Sequence, residues 1–222
     1  MAQLEKLGTE QTRKTYRRHG YVEPMYGVLF GDLNALKKKI KKDHALALAL
    51  WKTGNADARI FATMVADPQA LDAATVEKWA RESNFRALTD YVGGIAGASP
   101  DAVSLAAQWA KSKDPKLRRT AGGIVVSRLR DGAEVPAPLL RSMLEDIEKR
   151  IHTEENWTRY SMMYGLIAIG SYEPSLTADA IAAARRIGKV EFDPGETACK
   201  MPDPVPYIHK TVAHLKKRGK AK

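Results

Sequence analysis

Pro115-Lys-Leu-Arg-Arg-Thr-Ala-Gly-Gly-Ile-Val-Val-Ser-Arg-Leu-Arg130 is the stretch whose reading decides the fold. Pro115 suits a first helical turn, where its missing N–H costs nothing, and Asp114 ahead of it is a good N-cap. Leu117, Ala121, Ile124, Val125 and Leu129 then fall at helical spacing on one apolar stripe. Arg118 and Arg119 sit at the start, beside that stripe rather than within a solvated charge run. The same layout returns in Asn55 to Ala66, with Arg59 laid on Arg119, and in Asn156 to Ile167, with Arg159 laid on Arg119. A weaker copy, Ser83 to Val92, carries its basic residue one place earlier, at Arg86. A cap, an arginine in the first turn and an apolar run, returning at intervals of roughly 30 to 40 residues, predicts a helical solenoid.

Working outward, Asp43 starts a helix with Leu46, Leu48, Leu50 and Trp51, stopped by Thr53-Gly54, and Asn55 caps its partner. A turn that short makes the two antiparallel, the unit of HEAT-like repeats. Further helices are expected at 72–81, 84–96, 101–111, 136–151, 155–170 and 175–187, and a last one at 205–218 with a basic tail to Lys222. The fold class is therefore all-α, a superhelical solenoid of antiparallel helix pairs, with no convincing strand. Residues 1–20 form a basic N-terminal segment and 21–222 the repeat domain. Tyr21 to Gly31 reads as a tucked-in connection. Asp32 is expected to cap a helix through Lys42 that carries Lys37, Lys38, Lys39, Lys41 and Lys42. Five lysines in six positions cannot share one helical face. The Pro- and Gly-rich loop 188–206 cannot be regular helix; Val190, Phe192 and Met201 would hold it as a cap over the last helices.

The 222 residues hold 36 Lys and Arg against 26 Asp and Glu, a formal charge of +10. A field of that sign draws polyanions, nucleic acid first among them. A 44% apolar share argues against global disorder, and the single cysteine, Cys199, has no partner for an intrachain disulfide. The N-terminus is too polar for a signal peptide, and no apolar run approaches membrane-spanning length. The expected location is the cytoplasm, on the nucleoid when DNA is bound, without contact to a membrane.

The five histidines are scattered with no paired metal-ligand spacing, so no metal is expected. There is no phosphate-cradling glycine loop; Gly93-Gly94 and Gly122-Gly123 lie inside helices and are expected to permit close helix packing. No Ser-His-Asp or Cys-His constellation is suggested. Asp90 stands out, inside a helix among Phe85, Leu88, Tyr91, Val92 and Ile95. Burying a carboxylate without a partner is costly. Asp90 either pairs with an arginine of the neighbouring repeat, such as Arg118 or Arg119, or faces a basic groove as a lone carboxylate.

Four stretches carry a family resemblance: His44 to Pro68, Phe85 to Asp90, Leu117-Arg-Arg-Thr-Ala121, and Gly188 to Lys200. Together they resemble the DNA alkylation repair (AlkD-like) family, over roughly residues 25 to 215. The resemblance implies a solenoid whose concave basic face holds double-stranded DNA, and glycosylase activity on N3- and N7-alkylated purines. It places the catalytic aspartate at Asp90 and the DNA-contacting arginine at Arg118 or Arg119. Two tryptophans that line the family's cleft fall here on Arg86, with Phe85 beside it, and on Tyr164. An aromatic wall attracts a cationic alkylpurine, whereas an arginine in that place repels it.

The expectation is a monomeric DNA-binding repair protein, a glycosylase that hydrolyses the N-glycosidic bond with no metal or organic cofactor. Asp90 would stabilise the developing sugar cation and position a water. Arg59, Arg118, Arg119, Arg159, Lys37, Lys38 and Lys41 would hold phosphates. The alternatives are a non-catalytic family member that recognises damaged or branched DNA, and a HEAT-type scaffold for proteins.

Overall fold

The structure, a computed structural model, describes residues 1–219; the end of the expected basic tail, Lys220, Ala221 and Lys222, lies outside the described residues. The helices are α1 (Ala2–Leu7), α2 (Glu10–Arg18), α3 (Phe30–Ile40), α4 (His44–Lys52), α5 (Ala56–Val65), α6 (Ala73–Glu82) and α7 (Arg86–Ala96). They continue as α8 (Ala102–Trp109), α9 (Pro115–Arg130), α10 (Ala137–Arg150), α11 (Asn156–Tyr172), α12 (Thr177–Ile187) and α13 (Pro204–Lys217). Short 3-10 turns span Pro68–Ala70 and Pro174–Leu176, and no strand occurs among the described residues. The chain is all-α, as its periodicity predicts.

Short polar side chains begin the helices where the sequence places them. Asp43, Asn55 and Asp72 each accept the N–H three residues on, and Asp114 accepts that of Lys116. Each such cap stabilises its helix by about 1 kcal/mol. Two of the starts that differ from expectation share a cause. Helix α3 begins at Phe30 with Leu29 as its N-cap, so Asp32 lies within the first turn. Helix α7 begins one residue after Phe85, not at Asn84. In both, an aromatic ring sets the start: Phe30 packs on Tyr16 and Tyr91, and Phe85 stacks on Tyr21.

The chain packs as two compact units, Met1–Ala102 with Gly195–Thr197, and Val103–Pro194 with the C-terminal residues from Ala198. In the first, α5 is almost wholly apolar and buried, and packs against α3, α4 and α7. The three-residue turn Thr53–Asn55 makes α4 and α5 antiparallel, and Gly54 takes the positive φ of 71° that the turn needs. Trp51 of α4 stacks on Trp79 of α6, their centroids 4.3 Å apart. Residues 1–20, expected as a separate basic segment, belong to this unit: Tyr16 is buried, stacks on Tyr21 and donates from its hydroxyl to Val28 O at 2.7 Å. Burial, and after it the charge of Asp57, push the Tyr16 hydroxyl up to about 12.

The connection between α2 and α3 is tucked in, as expected, and a buried carboxylate holds it there. Asp57, 1% exposed, accepts the N–H of Tyr26 at 2.6 Å and of Gly27 at 3.0 Å on Oδ2, and that of Val28 at 2.9 Å on Oδ1. Gly27 has φ 77°, and a Cβ there would lie 2.6 Å from Thr9 O. Only glycine fits both the dihedral and the space. The Glu23–Pro24 peptide within the connection is cis.

In the second unit, Leu117, Ala121, Ile124, Val125 and Leu129 of α9 are all buried, the stripe read from the sequence. Helix α11 packs against α9, α12 and α13. The close-approach glycine here is Gly170 of α11, where a Cβ would meet Ile208 Cδ1 at 2.7 Å and the Ala180 Cβ at 2.8 Å. Gly94 and Gly122, expected to serve close packing, have open space where a side chain would stand. Sequence marks a helical glycine without telling which side of the helix faces a neighbour.

Candidate nucleic-acid interface

Three of the arginines expected to meet phosphate share one place in their helices. Arg59, Arg118 and Arg159 each lie four residues after the N-cap, at Asn55, Asp114 and Glu155. The sequence overlay on Arg119 is therefore one residue out of register; Arg118 is the equivalent position. What the three share is a set of main-chain carbonyls. Arg59 Nε donates to Trp51 O at 3.2 Å and its Nη1 to Glu82 O at 3.1 Å, near the C-terminal ends of α4 and α6. Those ends carry the negative pole of the helix dipole, where a guanidinium is favoured. The same group lies 5.1 Å from the Trp51 ring centroid and 3.6 Å from the Glu82 carboxylate, which also accepts Trp51 Nε1 at 2.6 Å.

Arg118 Nη1 donates to Ser112 O at 2.8 Å and Lys113 O at 3.0 Å, just past α8, and its Nη2 lies 3.5 Å from Glu154. Burial, followed by the nearby Arg150 charge, pushes its pKa below the usual guanidinium value. Arg159 Nε donates to Glu154 O at 2.7 Å and its Nη1 to Glu191 O at 3.2 Å. Arg119 Nη1 donates to Trp157 O at 3.2 Å. All four guanidinium groups are thus engaged with backbone.

The lysines are different. Lys37, Lys38 and Lys41 are exposed, and among the described residues none has an acidic partner. Lys42, one residue on, pairs with Asp67 at 3.1 Å. Together these four rim an open groove floored by Met64, Pro68 and Ile95. Lys41, which closes α3, holds φ 63° and ψ −111°, the one non-glycine residue at positive φ among the described residues. A side chain in that conformation costs on the order of 1 kcal/mol or more.

Asp90 is exposed on α7 rather than buried among its apolar neighbours. Phe85 is buried, one ring face stacked on Tyr21 at 4.5 Å, and so belongs to the core of the first unit rather than to an open wall. Arg86 is half-buried, and its charge opposes the upward pull of burial on the hydroxyls of Tyr21 and Tyr91.

In the second unit, Tyr164 is half-buried in an aromatic cluster. Tyr160 donates to its hydroxyl at 3.3 Å, and Tyr207, itself exposed, meets it edge-on at 6.2 Å. Phe192 of the loop stacks on Tyr160 and meets Trp157 edge-on. The start of the loop is further tied to the first turn of α11, where Asn156 Oδ1 accepts the Asp193 N–H at 2.8 Å. The start of the loop thus packs on the first turns of α11, whereas Gly195–Thr197 belongs to the first unit. Trp157 and Tyr160 were not among the expected site residues, although their spacing with Tyr164 puts all three along one side of a helix.

Among the described residues no group of His, Cys, Asp and Glu could hold a metal ion, and no helix is long and apolar enough to cross a membrane.

A family model described as "DNA alkylation repair enzyme" matches residues 1–192. Two relatives, both described as uncharacterized proteins, are Lmo0209 of Listeria monocytogenes, 31% identical, and Lin0241 of Listeria innocua, 30% identical. Each alignment spans 94% of this chain and 93% of the relative. A solved structure from "a new family of proteins related to the HEAT-like repeat DNA glycosylases with affinity for branched DNA structures" superposes with a TM-score of 0.85. It is 28% identical and covers 99% of this chain and 93% of its own. The helix-pair reading of the fold has its counterpart in that HEAT-like architecture.

Proposed function

The chain belongs to the DNA alkylation repair enzyme family, and from that membership we propose that it binds double-stranded DNA and recognises damaged or branched forms of it without excising a base. The observation that carries this reading is the contrast between its two kinds of cation. Arg59, Arg118, Arg119 and Arg159 are engaged with main-chain carbonyls. Lys37, Lys38 and Lys41 stand exposed and, among the described residues, have no acidic partner. Phosphates are held by cations that are not already committed, so the lysines are the primary contacts and the arginines keep the frame.

Two features favour recognition over excision. Arg86 occupies a place where the resemblance implies a cleft tryptophan, and Phe85 is turned into the core. Neither offers an open ring face to a cationic alkylpurine. The affinity for branched DNA ascribed to the solved relative is carried over on that basis. The protein acts as a monomer on the nucleoid, with neither metal nor organic cofactor.

A second reading, glycosylase action on N3- or N7-alkylated purines, is favoured by the exposed carboxylate of Asp90. An alkylated purine is already a cationic leaving group. Asp90 would stabilise the sugar cation left behind and accept a proton from the attacking water. Tyr164 would keep an aromatic contact with the substrate.

The test is fluorescence anisotropy on a paired duplex and a three-way junction across a salt series, with base release from methylated duplex measured in parallel. Tighter binding to the junction and no released base are expected. Changing Lys37, Lys38 and Lys41 together to Gln should flatten the salt slope by roughly 2 to 3 units, about 0.9 per lost phosphate contact. Methylpurine release by the wild type that Asp90→Asn abolishes would establish the glycosylase instead. Binding without salt dependence would refute a DNA partner and favour a protein scaffold.

A further inference from the structure

The groove beside α3 has a composition that a rigid duplex does not use. Its rim is cationic, with Lys37, Lys38, Lys41 and Lys42, and its floor is apolar, with Met64, Pro68 and Ile95. A paired duplex presents phosphate and sugar outward and keeps its bases stacked inside, so it would satisfy the rim and leave the floor wet. A ligand that fits both carries an anion and a flat apolar face a short distance apart. An unpaired nucleotide is such a ligand: its phosphate meets ammonium groups, and its unstacked base lies against a thioether and aliphatic carbons. Charge complementarity with a chain of net charge +10 points the same way.

The backbone supplies a second observation. Lys41 is held at φ 63° and ψ −111°, where glycine would sit with less strain, and it lines this groove. Strain of this kind persists where a side chain is needed in one place. We propose that the groove formed by α3, the end of α5 and α7 is a subsite for a single unpaired nucleotide of branched or bulged DNA, with Lys37, Lys38 and Lys41 on its phosphates and Met64 and Ile95 against its base. The inference rests on the DNA-binding reading above and deepens it: it names the element by which branched DNA is told from an ordinary duplex.

Three probes separate the two ideas: a paired duplex, the same duplex with one unpaired thymidine, and the same bulge with an abasic residue in its place. The full chain should bind the thymidine bulge about tenfold more tightly than the abasic bulge, the contribution of one stacked base. Met64→Ser combined with Ile95→Ser should collapse that difference and leave affinity for the paired duplex unchanged. Lys41→Gly should weaken binding of the thymidine bulge several-fold while its unfolding midpoint stays level or rises, because glycine relieves the strain. Equal affinity of the wild type for the two bulges, or a difference that survives the floor substitutions, overturns the subsite. Loss of fold in the floor variant leaves photo-crosslinking of wild type to 4-thiothymidine at the bulge. Adducts at residues 64–68 or 95 support the proposal, and adducts confined elsewhere overturn it. If the wild type binds none of the three probes in a salt-dependent way, the DNA-binding reading itself fails.

Discussion

Asp57 offers a perturbation whose size follows from three distances. Its carboxylate is buried and accepts the N–H groups of Tyr26, Gly27 and Val28, residues about thirty positions earlier in the chain, at 2.6, 3.0 and 2.9 Å. Asp57→Ala removes both acceptor oxygens, and with them all three bonds, at once. A buried donor left without a partner costs about 1–3 kcal/mol, and bonds to a charged acceptor lie towards the upper end. The Tyr26 N–H is the one able to recover water, because Tyr26 is half-buried while Gly27 and Val28 are buried. The expected loss is therefore about 3–6 kcal/mol, a large fraction of the roughly 5–15 kcal/mol that holds a domain folded. Asp57→Asn keeps one carbonyl oxygen for the two bonds now made by Oδ2, but turns an amide N–H towards that of Val28. It should cost about half as much. The assay is urea unfolding followed by tryptophan fluorescence, with Trp51 and Trp79 stacked in the same unit as reporters. An alanine variant within about 1 kcal/mol of wild type would refute the reasoning, as would an asparagine variant no better than alanine.

Two further outcomes follow from features of the same fold. Gly94→Ala and Gly122→Ala should each raise stability by about 0.5–1 kcal/mol, the helix-propensity gain with open space around the new methyl, whereas Gly170→Ala should lower it by about 1–3 kcal/mol through overpacking on Ile208 and Ala180; urea midpoints with the opposite ranking would contradict this. Alkali should also destabilise the first unit: an unfolded tyrosine loses its proton near pH 10, while Tyr16 holds its own to about 12 and burial pushes Tyr21 up as well. Between those values the unfolded chain binds fewer protons, so stability falls as pH rises through this window. The circular-dichroism melting temperature should drop from about pH 9 to about pH 11, and by less in Tyr16→Phe; an equal drop would remove Tyr16 from the transition.

The helices were legible because their signals are local. Asp114-Pro115 and the stripe from Leu117 to Leu129 predict α9 to the residue, and Asp43, Asn55 and Asp72 mark three more starts. Where the reading slipped, a partner distant in sequence decided the matter. Phe85 and Phe30 set the starts of α7 and α3 through rings on other elements. Asp90, inside an apolar helix pattern, reads as a candidate for a buried carboxylate and is exposed; the buried carboxylate is Asp57. In sequence Asp57 looks like an ordinary acid in a first helical turn, because nothing local announces three backbone donors some thirty residues upstream. The site divides in the same way. The exposed lysines of α3 could be read from their crowding alone, whereas nothing local shows that the arginines expected to meet phosphate also hold carbonyls. Charge type is visible in a sequence; whether the charge is already spoken for depends on where helix ends come to rest.

The arginine at the fourth helical position also bears on how such chains are cut and joined. Arg59 links the end of the helix before it to the end of the helix after it, and Arg159 ties the turn before its helix to the loop at Glu191. A helix pair excised for transplantation would carry its guanidinium away from one of the carbonyls it serves. Recombination between homologues would therefore break these links at boundaries that look neutral in a helix map. The portable segment is longer than the repeat: it runs from the helix whose end the arginine caps, past its partner, to the close of the next helix. Chains that keep α4 to α6 together should keep both Arg59 links, and chains joined between α5 and α6 should lose the one to Glu82.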